Sequence, residues 1–516
     1  MANEVKTVNG IAIASIKNLN GITDGNLKNL NNEEFTGSFS AAYSLTEIGN
    51  TYDAKRIYDD ERGVGSYTTY DPNTDQHIHA YGDAGNSYYG TMECIIKTAS
   101  TYYRGTPYVF YSTSTSIFNM VLYDAAKSRL VFGFEGYNPG TGYYQPWIGT
   151  VNVGAKQDSA NPYDFSSGDF TETDSSTSTV YQVKVADGTS GHVRQMCSNF
   201  MSYNPTYDVY TFTYNEENTS KGYVKAYYCN SDGSLTAGTA VEFQSGHHDR
   251  MSLSVHDGNI ERTVLMYNTS SSAGKVRVVK HTGTGSVADR VALSLDSELD
   301  HYKIPSGQKG GYEGINAQYY PEATAIFHFV GSTDPANVRF FRLTGDDSGG
   351  YSKVGNGNDK DGDVCANLWY YMQVPGDGAS DHGGSSMHYV KGRGRMVILS
   401  IDDDVASLSG SWDARMYGAI LEWNTSRYAS GGTQDAEYIQ VGYTGSVLGG
   451  VIQVSMSHQT DANNNLDGTA WWPMGAYGET HINERPEGLF GVITMDGGYN
   501  DQRMLKFLEP GTTGSP

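Results

Sequence analysis

The chain has 516 residues and a formal net charge of −23, with 38% hydrophobic and only 18% charged residues. A surface this acidic repels phosphate backbones, so nucleic-acid binding is not expected. No apolar run approaches the roughly 18 residues of a membrane span, and the N-terminal stretch lacks the apolar core of a signal peptide, so we expect no membrane insertion. The 62 Gly and 40 Tyr predict many short strands joined by tight turns.

Residues 1–37 differ from the rest and are predicted to form an arm. Asn-Gly or Asn-Asn pairs recur there with a period of 11 residues, and Asn-Gly favours a two-residue hairpin turn. Apolar residues beside the turns form a stripe that so small a unit cannot bury, so we predict that the arm docks on another protein. The alternative is packing on its own domain. The predicted docking residues are Asn9, Gly10, Leu19, Asn20, Gly21, Leu30 and Asn31.

Residues 38–516 repeat a longer unit and are predicted to form the body. In each copy an aromatic residue or histidine before a turn precedes two alternating strands separated by a polar loop. The copies begin at Tyr70, Tyr123, Tyr203, His256, Tyr320 and Tyr389, with a degenerate copy from Gly450. Such units are typical of propeller blades. We predict an all-β fold, a β-propeller of six or seven blades with a short N-terminal β-hairpin arm; two packed β-sandwich domains are the alternative.

Two stretches resemble a known group of proteins. The arm sequence VNGIAIASIKNLNGITDGNLKNLN is similar to the arms that open many virion proteins of marine and cyanobacterial tailed phages. The stretch YDVYTFTYNEENTSKGYVKAYYCNSDGSLTAGTAVEF resembles propeller repeats of phage tail proteins. The resemblance implies a component of the virion, with other virion proteins and copies of itself as partners in a homo-oligomer. The long insertions at 136–180 and 344–385 depart from those repeats, and we expect specialised contacts there.

No catalytic or cofactor motif is found. GxSxG, HExxH and phosphate-binding loops are absent, and the four cysteines include no CxxC pair. The run Asp402-Asp403-Asp404 is interpreted as a solvated turn. Thr344, Asp346 and Tyr351 approach the Asp-box of propeller glycosidases, but Ser348 replaces its glycine. The sequence therefore predicts no enzyme, no catalytic residue and no cofactor.

Metal ligation is weighed at three places and not assigned. His77 and His79 alternate on one strand and share a face, but no third ligand is evident. Oxygen-bearing residues alternate in 461–467 and 359–363, as in calcium loops, yet neither stretch has its glycine at the sixth position.

Aromatic clusters are the remaining candidates for binding. Trp147 with Tyr143-Tyr144, Trp369-Tyr370-Tyr371 and Trp471-Trp472 can stack on sugars or fill an interface, although core packing is the commoner use. The main prediction is a phage virion structural protein of the tail (fibre, tip or nozzle) that docks by its arm and presents the propeller for assembly or for attachment to a host-surface glycan or protein. The alternative is a polysaccharide-active propeller enzyme acting on host surface glycans. A bacterial surface lectin is disfavoured by the lack of a secretion signal.

Overall fold

The computed structural model describes side chains over most of residues 69–166, 200–301 and 317–326, and elsewhere describes strands through their backbone pairing. Strands dominate the described part, so the predicted all-β class is confirmed.

Three small hairpins precede the body, each a separate two-stranded sheet. The pairs Val8↔Ile11, Leu19↔Ile22 and Leu30↔Glu33 each leave two residues between the strands, the spacing of the predicted turns. The turn residues Asn9, Gly10, Asn20, Gly21 and Asn31 lie outside the described residues. The six strands are β1 (Thr7–Val8), β2 (Ile11–Ala12), β3 (Asn18–Leu19), β4 (Ile22–Thr23), β5 (Asn29–Leu30) and β6 (Glu33–Glu34).

The strands that the structure describes in the body form six antiparallel sheets. The largest sheet has eight strands and is divided into blades 1 and 2, which are joined where Tyr89–Met92 pairs with Tyr108–Ser114, so the strands are described as seven blades. A single short strand, β7 (Leu45–Glu47), comes before them in the chain. Blade 1 contains β8 (Gly63–Asp71), β9 (Gln76–Asp83), β10 (Tyr89–Lys97) and β11 (Tyr102–Arg104). Blade 2 contains β12 (Tyr108–Asp124), β13 (Arg129–Asn138), β14 (Tyr143–Val151) and β15 (Gln182–Lys184). Blade 3 contains β16 (Val193–Arg194), β17 (Met201–Asn204), β18 (Val209–Glu216), β19 (Lys221–Cys229), β20 (Leu235–Ala237) and β21 (Val241–Gln244).

The remaining four blades follow the same plan. Blade 4 contains β22 (Ser252–Asp257), β23 (Arg262–Ser270), β24 (Ala273–His281), α1 (Val287–Val291), β25 (Leu293–Leu295) and β26 (Leu299–His301). Blade 5 contains β27 (Ala317–Tyr320), β28 (Ala325–Ser332), β29 (Asp334–Thr344) and β30 (Gly350–Lys353). Blade 6 contains β31 (His382–Val390), β32 (Arg395–Asp402), β33 (Arg415–Asn424), β34 (Tyr438–Val441) and β35 (Ile452–Ser455). Blade 7 contains β36 (Thr480–Glu484), β37 (Phe490–Thr494) and β38 (Met504–Pro510).

The ring of blades is closed by a strand from the other end of the body. β7 pairs antiparallel with β38, with Leu45 opposite Pro510, so it supplies the fourth strand of blade 7. The first strands contact one another around the ring, β8 with β12, β17 with β22, β22 with β27, β27 with β31, β31 with β36 and β36 with β8. Blades 2 and 3 meet through β14 and β16. The fold is therefore a β-propeller, as predicted, with seven blades.

The loops between first and second strands repeat one geometry. In blades 1 to 5 the register leaves four residues between the paired ends, for example between Asp71 and Gln76. The fourth loop residue has positive φ each time, a conformation that few non-glycine residues adopt. These residues are Asp75, Ser128, Asp208, Glu261 and Thr324. We call the end of the propeller that carries these loops end A, and the opposite end, which carries the loops between second and third strands, end B.

Both faces of the central strands are buried, because each blade is packed between two others. β18 alternates polar and apolar residues, yet all but its last residue are buried. Its Thr211 hydroxyl lies 3.3 Å from that of Thr263 in blade 4, and Ser202 contacts Ser254 at 2.6 Å. The alternation of this strand therefore separates a face of small hydroxyl residues from an aromatic face, rather than solvent from core.

The aromatic faces form the largest core cluster, which spans blades 1 to 3. Phe134 stacks on Trp147 with ring centroids 6.4 Å apart, and Phe200 packs on Phe212 at 5.0 Å. Trp147 is only 3% exposed. For Trp147 the packing interpretation is therefore correct and the sugar-stacking one is not.

The short helix α1 was not indicated by the sequence pattern, because five residues are too few to show a helical period. Ser286 caps it, accepting from the amide of Asp289, whose side chain accepts from the Ser286 amide in return. In the described part of the chain no helix has the length and hydropathy needed to cross a membrane.

Candidate functional site

End A carries many carboxylates, and their geometry is that of turn caps. Asp71, Asp124, Asn204 and Asp257 occupy the same position in blades 1 to 4, and each side chain accepts the backbone N–H two residues later, at 2.8–3.1 Å. Ser, Asp and Asn side chains stabilise turns in this way. All four side chains are buried. They are therefore structural groups rather than an acid pair open to a substrate.

Polar contacts link neighbouring loops across the blades of end A. Lys127 of blade 2 binds Asp208 of blade 3 at 2.5 Å and Asp124 at 3.3 Å. Thr206 of blade 3 donates to Glu261 of blade 4. The Lys127 ammonium group thus lies between the Asp124 and Asp208 carboxylates and offsets the repulsion between them. Tyr203 donates to Asp208 at 2.9 Å, and burial together with that carboxylate raises the pKa of its hydroxyl, which makes it a poor nucleophile.

A second polar cluster is enclosed on one face of blade 1. His77 and His79 share that face, as predicted, because they alternate along β9. Both are buried, and the His79 Nδ1 lies 3.5 Å from Glu93, which Arg104 binds through two nitrogens at 2.8 and 3.0 Å. Within the described residues no group of three or more His, Cys, Asp or Glu side chains is arranged to hold a metal ion.

End B of blade 2 carries tyrosines on both faces of one hairpin. Tyr137 and Tyr144 are paired across β13 and β14, with ring centroids 5.4 Å apart and the planes at 63°. Tyr143 is on the other face, since successive strand residues alternate. Tyr111 packs there against Phe134 and donates to the Tyr137 carbonyl at 3.2 Å. All four tyrosines are half-buried, so one side of each is held by protein and part remains open.

Glycines allow this hairpin its shape. Gly142 has φ +76° in the loop, a conformation that suits glycine. Gly136 lies under the Tyr111 ring, where a Cβ would overlap the ring atoms. The tyrosine can therefore lie flat across the strand only because position 136 has no side chain.

Blade 3 also carries a cross-strand pair of tyrosines at end B. Tyr214 and Tyr223 are paired across β18 and β19 and stack at 5.5 Å with the planes at 21°. Tyr214 is buried and Tyr223 is half-buried, so Tyr223 is the open member of the pair. We call Tyr111, Tyr137, Tyr143, Tyr144 and Tyr223 the tyrosine surface.

Polar groups flank the tyrosine surface. Asn138 donates to Gln145 at 3.3 Å, and Ser114 lies 3.4 Å from the Tyr144 hydroxyl. The Gln145 side chain is fully buried, and its Nε2 has no hydrogen-bond partner among the described residues. Half-open aromatic rings beside amides and hydroxyls are the groups with which proteins hold ligands that are apolar on one side and polar on the other.

The described part of the insertion predicted at 136–180 contacts the neighbouring blade of the same chain. Gln76 of blade 1 donates to the Gly154 carbonyl at 2.9 Å and accepts from the Tyr163 amide at 2.7 Å. Lys156 pairs with Asp75 at 2.9 Å. This segment thus fastens blade 2 to blade 1 at end A. The other insertion, 344–385, lies largely outside the described residues.

The other sequence candidates are distributed as follows. Among the docking residues, Leu19 and Leu30 lie in β3 and β5, and docking itself stays a prediction. Of the aromatic clusters only Tyr143-Tyr144 belongs to the tyrosine surface. Those outside the described residues are Trp369-Tyr370-Tyr371, Trp471-Trp472, 359–363, 461–467, Asp403-Asp404, Asp346 and Ser348. Sequence reasoning missed Tyr111, Tyr137 and Tyr223. Tyr137 and Tyr223 each directly follow a glycine near a hairpin end, which was a usable signal, whereas Tyr111 between Phe110 and Ser112 carries none.

Comparisons with known proteins find likeness in structure alone. No family model matches the sequence, and no curated protein matches it significantly. A leech intramolecular trans-sialidase aligns over 90% of this chain and 70% of its own, with 11% identity and a TM-score of 0.37. Yeast Sqt1 aligns over 90% and 99% (9% identity, TM-score 0.37), and an exo-β-1,3-galactanase of Phanerochaete chrysosporium over 90% and 100% (11% identity, TM-score 0.31).

One prediction from the sequence is contradicted by these comparisons. The absence of a motif predicts that the chain is not an enzyme, yet a trans-sialidase and a galactanase are among the solved structures that it resembles. A catalytic site built from residues of several blades leaves no contiguous motif, so the missing motif does not exclude catalysis. At identities of 9 to 12% the likeness concerns the fold and identifies no reaction.

Proposed function

We propose that this chain is a glycan-directed β-propeller that holds a polysaccharide on the tyrosine surface at end B. The observation that carries the proposal is the set of half-open tyrosine rings on two adjacent blades, of which Tyr111, Tyr137, Tyr144 and Tyr223 are fixed by packing or hydrogen bonds. Sugar rings have apolar C–H faces and polar edges, so they fit flat aromatic rings beside amides and hydroxyls. Because the rings are already fixed, binding costs little side-chain entropy.

End B suits this role better than end A. At end A the side chains of neighbouring loops are bound to one another, as in the Lys127–Asp208 pair. At end B the tyrosines retain open faces. The exposed part of each ring is available to a ligand at end B, whereas at end A a ligand would have to break bonds between blades.

The test is polysaccharide binding by the full chain and by two matched variants. We expect Tyr143→Ala/Tyr144→Ala to weaken binding about 30-fold or more, as for residues that dominate an interface. Tyr228→Ala is the control, since Tyr228 is a half-buried tyrosine at end A, beside Lys127 and Arg290. The same incubations are assayed for released sugars, which reports cleavage. Equal binding by both variants, with melting temperatures unchanged, would refute the proposed site.

A second role is favoured by the arm. We propose that residues 1–37 attach the propeller to a larger particle, a tail component of a phage virion being the assembly that the arm sequence resembles. Three consecutive hairpins of the same register, in sheets separate from the blades, support a unit that serves contacts outside the body. Removing residues 1–37 should abolish co-sedimentation with particles and leave polysaccharide binding intact. Particles that still incorporate the shortened chain would refute this role.

A further inference from the structure

Among the described side chains of blades 3 and 4, the charged groups at end B are mostly acidic. Glu216, Glu242, Glu298 and Asp300 flank the loop ends of blades 3 and 4, where β18, β19, β21, β24 and β26 approach end B. The described basic side chains beside these four carboxylates are Lys221 and Lys275. Lys221 binds Glu242 at 2.6 Å, and Lys275 binds Glu298 at 3.0 Å and Asp300 at 2.7 Å. The described lysines at this end are therefore already neutralised, and carboxylates remain in excess.

Arginine is the side chain best suited to bind a carboxylate, and the arginines whose side chains are described are committed to protein acceptors. Each arginine whose side chain the structure describes donates to a protein acceptor: Arg104 to Glu93, Arg129 to Thr150, Arg262 to the Glu261 carbonyl, Arg277 to the Asp296 and Phe243 carbonyls and Arg290 to the Thr284 carbonyl. Arg129, Arg262 and Arg290 moreover lie toward end A. To pair with one of these arginines, the carboxylate of an anionic sugar would have to displace a protein acceptor.

We infer that the glycan held at the tyrosine surface is uncharged, a polymer of neutral hexoses rather than of sialic or uronic acids. This inference rests on the proposed function. An anionic chain at Tyr223 would lie beside Glu242, the cross-strand partner of Tyr223, on a protein of net charge −23, and is therefore repelled, most strongly at low salt. Neutral hydroxyls meet no such repulsion, and they donate to carboxylates and amides. The preference separates this chain from what the trans-sialidase likeness alone would suggest.

The experiment compares a neutral β-glucan with hyaluronan at low and physiological salt. Wild type should bind the glucan, with affinity nearly independent of salt, and bind hyaluronan at least tenfold more weakly. Hyaluronan binding as tight as glucan binding, and lost in Tyr143→Ala/Tyr144→Ala, would overturn the inference and leave the proposed function standing. Binding of neither these two polymers nor a broad glycan panel would overturn the proposed function itself.

A charge variant tests the physical cause. Glu242→Gln removes one carboxylate and frees Lys221, so hyaluronan affinity at low salt should rise several-fold. Glu261→Gln is the control, because Glu261 belongs to an end A loop. Unchanged hyaluronan affinity in Glu242→Gln, or an equal rise in Glu261→Gln, would contradict the role of charge at end B.

Discussion

Asp257 caps its turn with one carboxylate oxygen, and its second oxygen makes no hydrogen bond to a described residue. Its Oδ1 accepts the Asn259 amide, as in the other blades, but its Oδ2 has no hydrogen-bond partner among the described residues. In blades 1 and 2 the residue three positions after the cap, Thr74 or Lys127, binds that oxygen, whereas blade 4 has Ile260 there. Burial therefore raises the pKa of the Asp257 carboxyl to about 6.

This predicts that Asp257→Asn stabilises the protein at neutral pH. The folded-state pKa lies above the ordinary value of 3.8, so the folded protein binds more protons than the unfolded chain between about pH 4 and 6. Wild-type stability consequently falls as pH rises through that window, by up to about 3 kcal/mol. The amide keeps the Oδ1 bond and carries no charge. Urea unfolding should show the variant more stable at pH 7 and the difference shrinking towards pH 4.

Asp71→Asn is the matched control at the residue scale. Asp71 uses both oxygens, accepting the Asn73 amide and the Thr74 hydroxyl. Its replacement should bring no gain at pH 7, because an amide nitrogen at the Oδ2 position cannot accept from Thr74. A gain equal in the two variants, or one independent of pH, would show that the unpartnered oxygen of Asp257 is not the cause.

Between elements, the loops of end A hold neighbouring blades together through a few pairs. We expect a double-mutant cycle of Lys127→Met and Asp208→Asn to give a coupling free energy of about 1–3 kcal/mol, since the two side chains are only 11% and 22% exposed. The comparison pair is Lys275 and Asp300, in which the carboxylate is 92% exposed and solvent screens the attraction. Its coupling should be below about 1 kcal/mol. Equal coupling in both cycles would refute this difference.

A glycine determines how α1 packs on blade 3. A Cβ on Gly238 would overlap the carbonyl of Val291, which is backbone and cannot turn away. Gly238→Ala should therefore displace the helix and lower stability by about 1–3 kcal/mol, as overpacking does. Gly246→Ala is the control, because no atom lies within 4 Å of its Cβ. The measurement is the melting temperature of the two variants. Similar values would contradict the close approach of Gly238 to the Val291 carbonyl.

At the element scale the sequence predicted the second and third strands of the blades and missed much of the rest. Stretches such as VYTFTY and KVRVVK alternate strongly and lie in β18 and β24. First strands such as β17 and β27 have four residues, and fourth strands such as β20 have three, too few to show a period. Tyr143 and Tyr144 are the only residues of the tyrosine surface that were named from the sequence. Its other members come together through cross-strand register, which depends on pairing between distant segments.

At the scale of the molecule, two N-terminal segments should differ sharply in their effect on stability. Deleting residues 1–37 should leave the melting temperature unchanged, because the arm hairpins form sheets of their own. Deleting residues 1–48 also removes β7 and leaves β38 as an open edge, so the melting temperature should fall by several degrees and aggregation should increase. A comparable fall in both variants would place the arm within the folded body.

The closure through β7 has a consequence for how the protein is made. β7 leaves the ribosome early, yet its partner β38 follows only after the other blades, so the nascent body remains an open arc. The face of blade 1 that is opposite its contact with blade 2 therefore stays exposed to solvent until blade 7 has been made. That face carries His77, His79 and Glu93 together with Tyr81 and Ile95, while the residues between them point into the core. A growing chain with an unfinished ring thus exposes a partly polar face to its neighbours on a polysome, instead of a wholly apolar one.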